Sequence, residues 1–488
     1  MITIRQRPRA QHLVLIPFTM ALAAIIFLPS YHLLAIDWYD EKRIISLIIL
    51  LSSAVSYFLS PRQCREVSRL YLSWPRWVRA ALPLIFLLGI ISSLGSFNPL
   101  FALLEVGNFA LLFLFCLQVA VIRATYGKII DFAIILSFVL FATLYLLDVS
   151  ASVHAMFVIG VITSPFDLFA NFINPRFFNQ LQSTTFPFLL IAPLLFSRYT
   201  KFARLLFLLP AGWWTLALIA GGRGVTLATL IGLVLTVCLF PAAWKKWSIS
   251  AAAVLTAGTF AASVLDSYIL TFMAKGPHNI GLAELMFKGV KNADRAALWR
   301  SCIKMIRESP LLGRGPMHFA HLHHPVGAHP HNFILQLGSE WGIIATVLFL
   351  LISCYASLRW FIKIHRFYQS NRRDEDESLV YLAVTSSILA VAAHSMVTGN
   401  FVMPLSQLII FMVIGWAIGI FSGKIDGARP LSLPRSSSLI LLSLIIMAVL
   451  FVVYAFYPDF IPFRQWISQT TQQNTGILHP RFWSQGYF

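Results

Sequence analysis

The feature that most constrains this chain is the recurrence of long apolar runs from one end of the sequence to the other. Continuous runs of about 18 residues or more are typical of transmembrane helices, which satisfy their backbone hydrogen bonds internally. A transmembrane barrel would instead alternate apolar and polar residues in short segments. Only 11% of the residues are charged and 58% are hydrophobic, which also argues against a soluble domain. The sequence therefore predicts an all-α polytopic membrane protein.

Thirteen spans can be identified, so about 12–14 transmembrane helices are expected. The first run is interpreted as a span and not a cleavable signal, because it is long and lacks a clear small-residue cleavage site. The spans lie near residues 12–30, 43–60, 80–96, 100–122, 128–148, 185–198, 203–220, 223–241, 248–265, 335–358, 379–398, 404–422 and 437–456.

Loops rich in lysine and arginine alternate along the chain with short loops that have few or none. The residues before the first span include Arg5, Arg7 and Arg9, whereas the loop at 95–98 has no basic residue. Because basic loops stay in the cytoplasm, the N-terminal residues and the alternate loops are expected there. The net charge of +18 is then first a topology signal, and no nucleic-acid partner is expected.

This topology divides the chain into four regions. Residues 1–265 form an N-terminal bundle with a noncytoplasmic segment at 149–184, and residues 266–334 form a large periplasmic loop. Residues 335–456 form the C-terminal transmembrane helices, and the tail at 457–488 is expected on the periplasmic side because the span count is odd. Within the large loop, residues 281–308 have the apolar spacing of an amphipathic helix, which could lie along the membrane surface.

Two arginines stand out as candidate ligands for an anionic headgroup. Arg223 is flanked by Gly222 and Gly224 at a span boundary, and Arg295 precedes Trp299 by one helical turn, so that the indole can wall off a site beside the guanidinium. A guanidinium fork suits a phosphate or diphosphate. The alternative is an arginine that snorkels to the headgroups, or a helix attracted to anionic lipid.

A histidine-rich tract at 323–331 ends on His331 and Asn332, just before a span. Histidine can act as a base near neutral pH, and the asparagine amide can fix a ring or a sugar hydroxyl. Such a tract can also bind metal, but this one lacks the helical spacing and the carboxylates of a typical catalytic zinc site. Neither a metal nor another cofactor is expected, and headgroup-facing histidines without a role remain the other alternative.

These elements together resemble the O-antigen ligase/polymerase superfamily. The resemblance covers roughly residues 172–345, and the large late loop between spans fits it as well. The matching elements are Arg295-x-x-x-Trp299, Pro310-Leu311-Leu312-Gly313-Arg314-Gly315-Pro316, His331-Asn332, Glu340-x-Gly342-Ile343, Gly222-Arg223-Gly224, and the segment 172–180 that contains Arg176.

The resemblance implies a GT-C-like, metal-independent, inverting glycosyltransferase in the bacterial inner membrane with its active site facing the periplasm. Its donor would be a glycan on undecaprenyl diphosphate, and its acceptor lipid A-core, another glycan or a protein. Arg223 and Arg295 would bind the diphosphate, and His331 would be the base. Additional substrate contacts are expected from Arg176, Trp299, Arg300, Arg314 and Asn332.

Within the family the sequence favours O-antigen ligation only slightly over polymerisation, and protein glycosylation stays open. A lipid-linked oligosaccharide transporter is the rival from another class. It would need acidic residues inside several spans, and Glu105 and Asp131 are the clearest ones there. An integral-membrane scaffold would leave the arginines and histidines unexplained.

Overall fold

A computed structural model describes residues 14–34, 36–159, 168–169, 171–172, 174–197, 200–240, 244–273, 292–324, 327–370, 374–422 and 480–484. Every regular element within these ranges is helical, which confirms the all-α prediction. The helices are α1 Leu15–Phe27, α2 Trp38–Leu59, α3 Pro61–Leu72, α4 Arg76–Leu94, α5 Pro99–Tyr126, α6 Lys128–Ile159, α7 Pro175–Phe196, α8 Leu208–Ile219, α9 Arg223–Leu239, α10 Trp244–Met273, α11 Asn292–Glu308, α12 His318–His321, α13 Phe333–Glu340, α14 Gly342–Gln369, α15 Glu375–His394 and α16 Pro404–Ser422, with a 3-10 helix at Lys201–Phe207.

Eight helical segments of the described chain are long and apolar enough to cross a membrane. A ninth would be the pair α2 and α3, bent by 97°, and two shorter apolar helices are α1 and α9. The predicted spans before residue 423 all coincide with helices. The predicted span at 437–456 lies outside the described residues. The chain is therefore a polytopic α-helical membrane protein.

The predicted loop at 149–184 is shorter than expected, because α6 continues to Ile159 and α7 begins at Pro175. The first half of α7 is polar and was therefore interpreted as loop, yet the structure buries it in the bundle. Its polar side chains find partners there: Gln182 Nε2 donates to Trp213 O at 2.6 Å, and the Trp213 indole donates to Thr185 Oγ1 at 3.1 Å. Hydrogen bonding of this kind allows a polar helix to be buried.

The predicted span at 335–358 is also divided. The short helix α13 ends at Glu340, and the long helix α14 begins at Gly342. Gly342 has φ +87°, and a Cβ there would lie 2.2 Å from Leu311 O. Only glycine fits this junction, and it separates α13 from the apolar helix that follows.

The bundle is held together by three extensive helix pairs: α5 with α16, α9 with α15, and α8 with α10. Helix α15 also packs along α7, which places α7 in the centre. In the first pair a Cβ at Gly415 would lie 2.3 Å from Cys116 O, so the absence of a side chain brings the two backbones together. Small residues serve helix packing in membranes in this way.

Three of the predicted cytoplasmic loops meet at one end of the bundle. Lys128 Nζ contacts Asp374 Oδ2 at 2.5 Å, and Lys246 Nζ contacts Glu375 Oε1 at 2.9 Å. These exposed pairs add little to stability. They do place the starts of α6, α10 and α15 together, whereas the side of the membrane on which these starts lie stays a prediction.

Helix α11 covers the described part of the predicted amphipathic helix, and residues 281–291 lie outside the described residues. Its apolar side chains Leu298, Cys302 and Met305 are buried against Phe319 and Leu335 of the same chain. The expectation that this face lies in the membrane surface is therefore wrong for α11, because protein covers it.

Candidate functional site

Three of the predicted arginines begin three different helices. Arg176 lies in the first turn of α7, where its N–H donates to the Asn174 side chain at 2.9 Å. Arg223 is the first residue of α9, directly after Gly222. Arg295 lies in the first turn of α11. Helix N-termini carry partial positive charge, so each guanidinium lies where an anion is favoured.

The structure brings these three arginines into one electrostatic cluster. Desolvation, followed by the charges of Arg176 and Arg223, lowers the pKa of Arg295. Desolvation, followed by the charge of Arg223, lowers the pKa of Arg176. The side chains of Arg176 and Arg223 are exposed. Like charges are therefore held near one another at an accessible place, and a bound polyanion would relieve their repulsion.

The turn between α15 and α16 connects this cluster to the histidine tract. Its carbonyls at 395, 396 and 397 accept hydrogen bonds from Phe333 N at 2.9 Å, Asn332 Nδ2 at 3.2 Å and Arg295 Nη2 at 3.3 Å, respectively. In the sequence, residues 398–400 form a short segment without basic residues and carry no pattern that indicates a role at the site. The structure makes the whole turn, residues 394–400, the frame of the candidate site.

Two more helices contact the same turn. Gln180 Nε2 of α7 donates to Thr398 Oγ1 at 3.1 Å. A Cβ at Gly224 of α9 would lie 3.2 Å from His394 Nε2, so the glycine after Arg223 accommodates this histidine. His394 is buried, and its Nδ1 lies 2.9 Å from Ser183 Oγ. No local sequence pattern indicates the position of His394 beside the arginines.

His331 is held in an unusual backbone conformation, with φ +54°. Its N–H donates to His329 Nδ1 at 3.3 Å, and the centroids of the two rings lie 4.1 Å apart. His329 is buried, and a Cβ at Gly399 would lie 2.5 Å from its Cε1. The ring of His329 therefore fills the space between the turn and His331. A left-handed non-glycine residue costs energy, so its presence here supports a functional constraint.

Two predicted contact residues support the His331 loop through hydrogen bonds. Asn332 caps α13, since its Oδ1 accepts from Leu335 N at 3.0 Å while its amide donates to the turn. Trp299 is half-buried, and its indole donates to Pro330 O at 3.2 Å. Through Trp299, the helix that carries Arg295 is tied to the residue before His331.

Arg300 and Arg314 lie differently from the other arginines. The Arg300 side chain is exposed on α11, five residues beyond Arg295 and so turned away from it. Arg314 is also exposed, and its Nη2 donates to Glu308 Oε2 at 2.6 Å. Among the described residues, neither arginine is seen to form a hydrogen bond to the turn at 394–400 or to His331. Their predicted substrate contacts stay predictions.

The sequence analysis missed the role of Glu340. This carboxylate is fully buried, and its Oε1 accepts from Phe319 N at 3.1 Å. Its Oε2 receives Arg481 Nη2 at 2.5 Å, and the same guanidinium contacts Glu105 at 2.9 Å. Arg481 was predicted only as part of a tail, and its sequence spacing from both carboxylates carries no signal of the contact.

No group of three or more His, Cys, Asp or Glu side chains is placed to hold a metal ion among the residues that the structure describes. Metal independence of the reaction itself stays a prediction.

Most residues of the candidate site lie within a segment of the chain that matches a known family. Residues 205–350 match the family model described as O-antigen ligase. The chain carries an O-antigen ligase family domain. A search of curated proteins found no match. The O-antigen ligase domain includes Arg223, Arg295 and His331, whereas Arg176 and the turn at 394–400 lie outside it.

The superfamily prediction is thus confirmed. The O-antigen ligase domain and the apolar helices support a multi-pass membrane glycosyltransferase of the ligase or polymerase type. In general terms, this domain implies a lipid-linked glycan as one substrate and a glycan acceptor as the other.

Proposed function

We propose that this protein transfers a glycan from undecaprenyl diphosphate to a hydroxyl of lipid A-core at the periplasmic face of the bacterial inner membrane. The observation that carries the proposal is the cluster of Arg176, Arg223 and Arg295, tied through the 394–400 turn to the loop of His331. A cluster of cationic side chains linked through this turn to a histidine suits a reaction that expels a diphosphate and removes one proton.

The three arginines would bind the donor diphosphate. Its two phosphates carry negative charge that is attracted to the clustered guanidinium groups, and a guanidinium fork can hold two oxygens at once. As the bond between the anomeric carbon and the diphosphate oxygen breaks, negative charge grows on the leaving group. Positive charges already fixed at that position stabilise the transition state more than the ground state.

His331 would act as the general base. The acceptor oxygen forms a bond to the anomeric carbon from the face opposite the diphosphate, which leaves as undecaprenyl diphosphate with inversion. The hydroxyl proton passes to the neutral imidazole of His331. Base catalysis of this kind contributes about 10²–10⁴-fold, so His331→Ala should slow transfer strongly and leave donor binding intact.

Polymerisation on the lipid carrier and protein O-glycosylation remain alternatives, since they differ only in the acceptor. Transport of the lipid-linked glycan has less support. The two acidic residues that a transport path would use are each paired with arginine: Glu105 with Arg481, and Asp131 with Arg123 at 2.5 Å. Removal of one partner of a buried ion pair is strongly destabilising, so these carboxylates have a structural role without any transport path.

The test is transfer by the purified protein in lipid, supplied with an undecaprenyl-diphosphate glycan, lipid A-core and EDTA. Products are separated on a gel beside His331→Ala and the matched control His365→Ala, an exposed histidine on α14. Transfer to lipid A-core that needs His331 and no added metal supports ligation.

Longer chains on the lipid carrier would indicate a polymerase instead of a ligase. Product on an added protein acceptor would indicate protein glycosylation instead. With a donor known to be competent, no product of any kind would refute the proposed function. Activity that survives in His331→Ala but is lost in His329→Ala or His324→Ala would refute the assignment of the base.

A further inference from the structure

The segment 480–484 lies outside the family domain, yet it is seated in the core beside the candidate site. Arg481, Phe482, Trp483 and Ser484 are all buried, with Arg481 only 1% exposed. Their burial separates this short stretch from an ordinary polar tail.

One face of α2 holds the backbone of this segment. Tyr39 Oη donates to Arg481 O at 2.5 Å, and Arg43 Nε donates to Phe482 O at 2.8 Å. The Asp40 carboxylate accepts from Ser484 N at 2.7 Å and from Ser484 Oγ at 2.9 Å. Three residues of one helix thus bind Arg481, Phe482 and Ser484 and fix the register of the segment.

The Arg481 side chain reaches from this seat to α13, the helix that follows His331. It contacts Glu340 Oε2 at 2.5 Å, and the Gln336 carbonyl oxygen accepts from Nη1 at 2.9 Å and from Nη2 at 2.7 Å in the amide orientation that satisfies both groups. Gln336 and Glu340 lie one turn apart, on the same face of α13. On its other side the guanidinium contacts Glu105 of α5 at 2.9 Å. Arg481 therefore clamps α13 against the bundle.

Helix α13 is in turn the support of the His331 loop. Asn332, the residue after His331, caps its first turn, and Glu340 at its last turn accepts from Phe319 N and from Gly315 N, at 3.1 and 3.0 Å. A shift of α13 would move both the His331 loop and the glycine turn, which is the turn before it that contains Gly313 and Gly315. Misplacement of a catalytic group by about 1 Å can cost 10²-fold in rate.

We infer that Arg481 is a positioning residue: the segment 480–484 completes the site from outside the family domain by fixing α13, and with it His331. The consequence for the reaction rests on the function proposed above, whereas the effect on α13 does not. The three arginines lie on α7, α9 and α11 and none lies on α13, so loss of the clamp should affect turnover more than donor binding.

The experiment compares Arg481→Met with the matched control Arg307→Met, an exposed arginine of α11, both as full chains in lipid nanodiscs. Hydrogen exchange at residues 331–340 should become at least about 10-fold faster in Arg481→Met, because local opening of α13 becomes easier. The kcat for glycan transfer should fall about 10²-fold while the donor KM changes by less than about threefold. The control should match wild type in both measurements.

Arg481→Met removes the guanidinium that pairs with two buried carboxylates, so it can fail to fold. A triple variant, Arg481→Met with Glu105→Gln and Glu340→Gln, removes these charges while it keeps the packing. It should fold, show the faster exchange of α13 and retain the reduced kcat.

Wild-type exchange at 331–340 together with wild-type kcat in either folded variant would overturn the inference. Equal acceleration of exchange throughout the bundle would overturn it as well, since the effect would then be general unfolding. If no variant and no wild-type protein transfers glycan but exchange of α13 alone accelerates, the proposed function fails and the clamp stands.

Discussion

Replacement of Gly399 by alanine should disturb the candidate base through one buried ring. The added Cβ would lie 2.5, 2.9 and 3.2 Å from Cε1, Nε2 and Nδ1 of His329. Non-bonded carbons prefer separations of about 3.5–4.0 Å, so the ring must move by about 1 Å. Because His329 is buried, that movement must be shared with its neighbours.

The consequence for His331 follows from the contacts between the two histidines. His329 Nδ1 accepts from His331 N–H at 3.3 Å, and the ring centroids lie 4.1 Å apart. A shift of about 1 Å breaks this hydrogen bond and displaces the His331 ring, so that we expect kcat to fall about 10²-fold. That loss corresponds to about 2.7 kcal/mol in the activation free energy. The donor KM should change by less than about threefold, because the arginine cluster keeps its charges.

The assay is steady-state glycan transfer by protein in nanodiscs, with donor and acceptor varied separately. Gly95→Ala is the matched control, since a Cβ there would meet only Ser92 O, at 3.8 Å. The decisive comparison is the double variant Gly399→Ala with His329→Ala. Without the ring there is no clash, so the double variant should be no slower than His329→Ala alone.

Two results would refute this reasoning. Wild-type kcat in Gly399→Ala would mean that the ring moves without effect on the reaction. A double variant whose loss is the product of the two single losses would mean that Gly399 acts independently of His329.

Three further predictions concern the arginines, the glycine turn and a buried ion pair. Arg295→Lys should lower kcat/KM by about 10–10²-fold, because lysine is a point charge and loses the paired hydrogen bonds of a guanidinium, and a hydrogen bond to a charged group contributes about 1.5–3 kcal/mol. Arg307→Lys on the same helix is the control, and equal kcat/KM in the two variants would contradict the diphosphate role of Arg295. Gly313→Ala should lower the melting temperature more than Gly127→Ala, since both have φ near +70° but only Gly313 would place a Cβ 2.4 Å from Glu340 O; equal shifts would show that backbone strain alone matters. Asp131→Asn should destabilise the protein by about 3 kcal/mol in equilibrium unfolding, because it leaves Arg123 unpaired inside the bundle; unchanged stability would reopen a transport role for this carboxylate.

Local sequence determined most of the helices. A continuous apolar run has few stable solutions in a membrane other than a helix, so hydropathy alone predicts the eight helical segments of the described chain that are long and apolar enough to cross a membrane. The same reasoning failed for the first half of α7, whose polar residues read as a loop. Burial of that stretch depends on partners such as Trp213, which no window of sequence contains.

The residue types of the proposed site were also visible in the sequence, since arginine and histidine are the side chains suited to binding a diphosphate and to base catalysis near neutral pH. Gly342, at the break between α13 and α14, belongs to the motif Glu340-x-Gly342-Ile343 of the sequence analysis. Its φ of +87° is the physical reason that a glycine is needed there.

Only the tertiary structure decided how these groups are assembled. Arg176, Arg223 and Arg295 come from three helices, and the turn that ties Arg295 to the His331 loop belongs to a fourth region, whose sequence carries no signal of the contact. The clamp of Arg481 on Glu340 joins a stretch predicted as a tail to a helix inside the family domain. Charges and hydrogen bonds act over a few ångströms in space, whatever the separation along the chain, so the sequence specifies the groups and the packing of the bundle determines which of them meet.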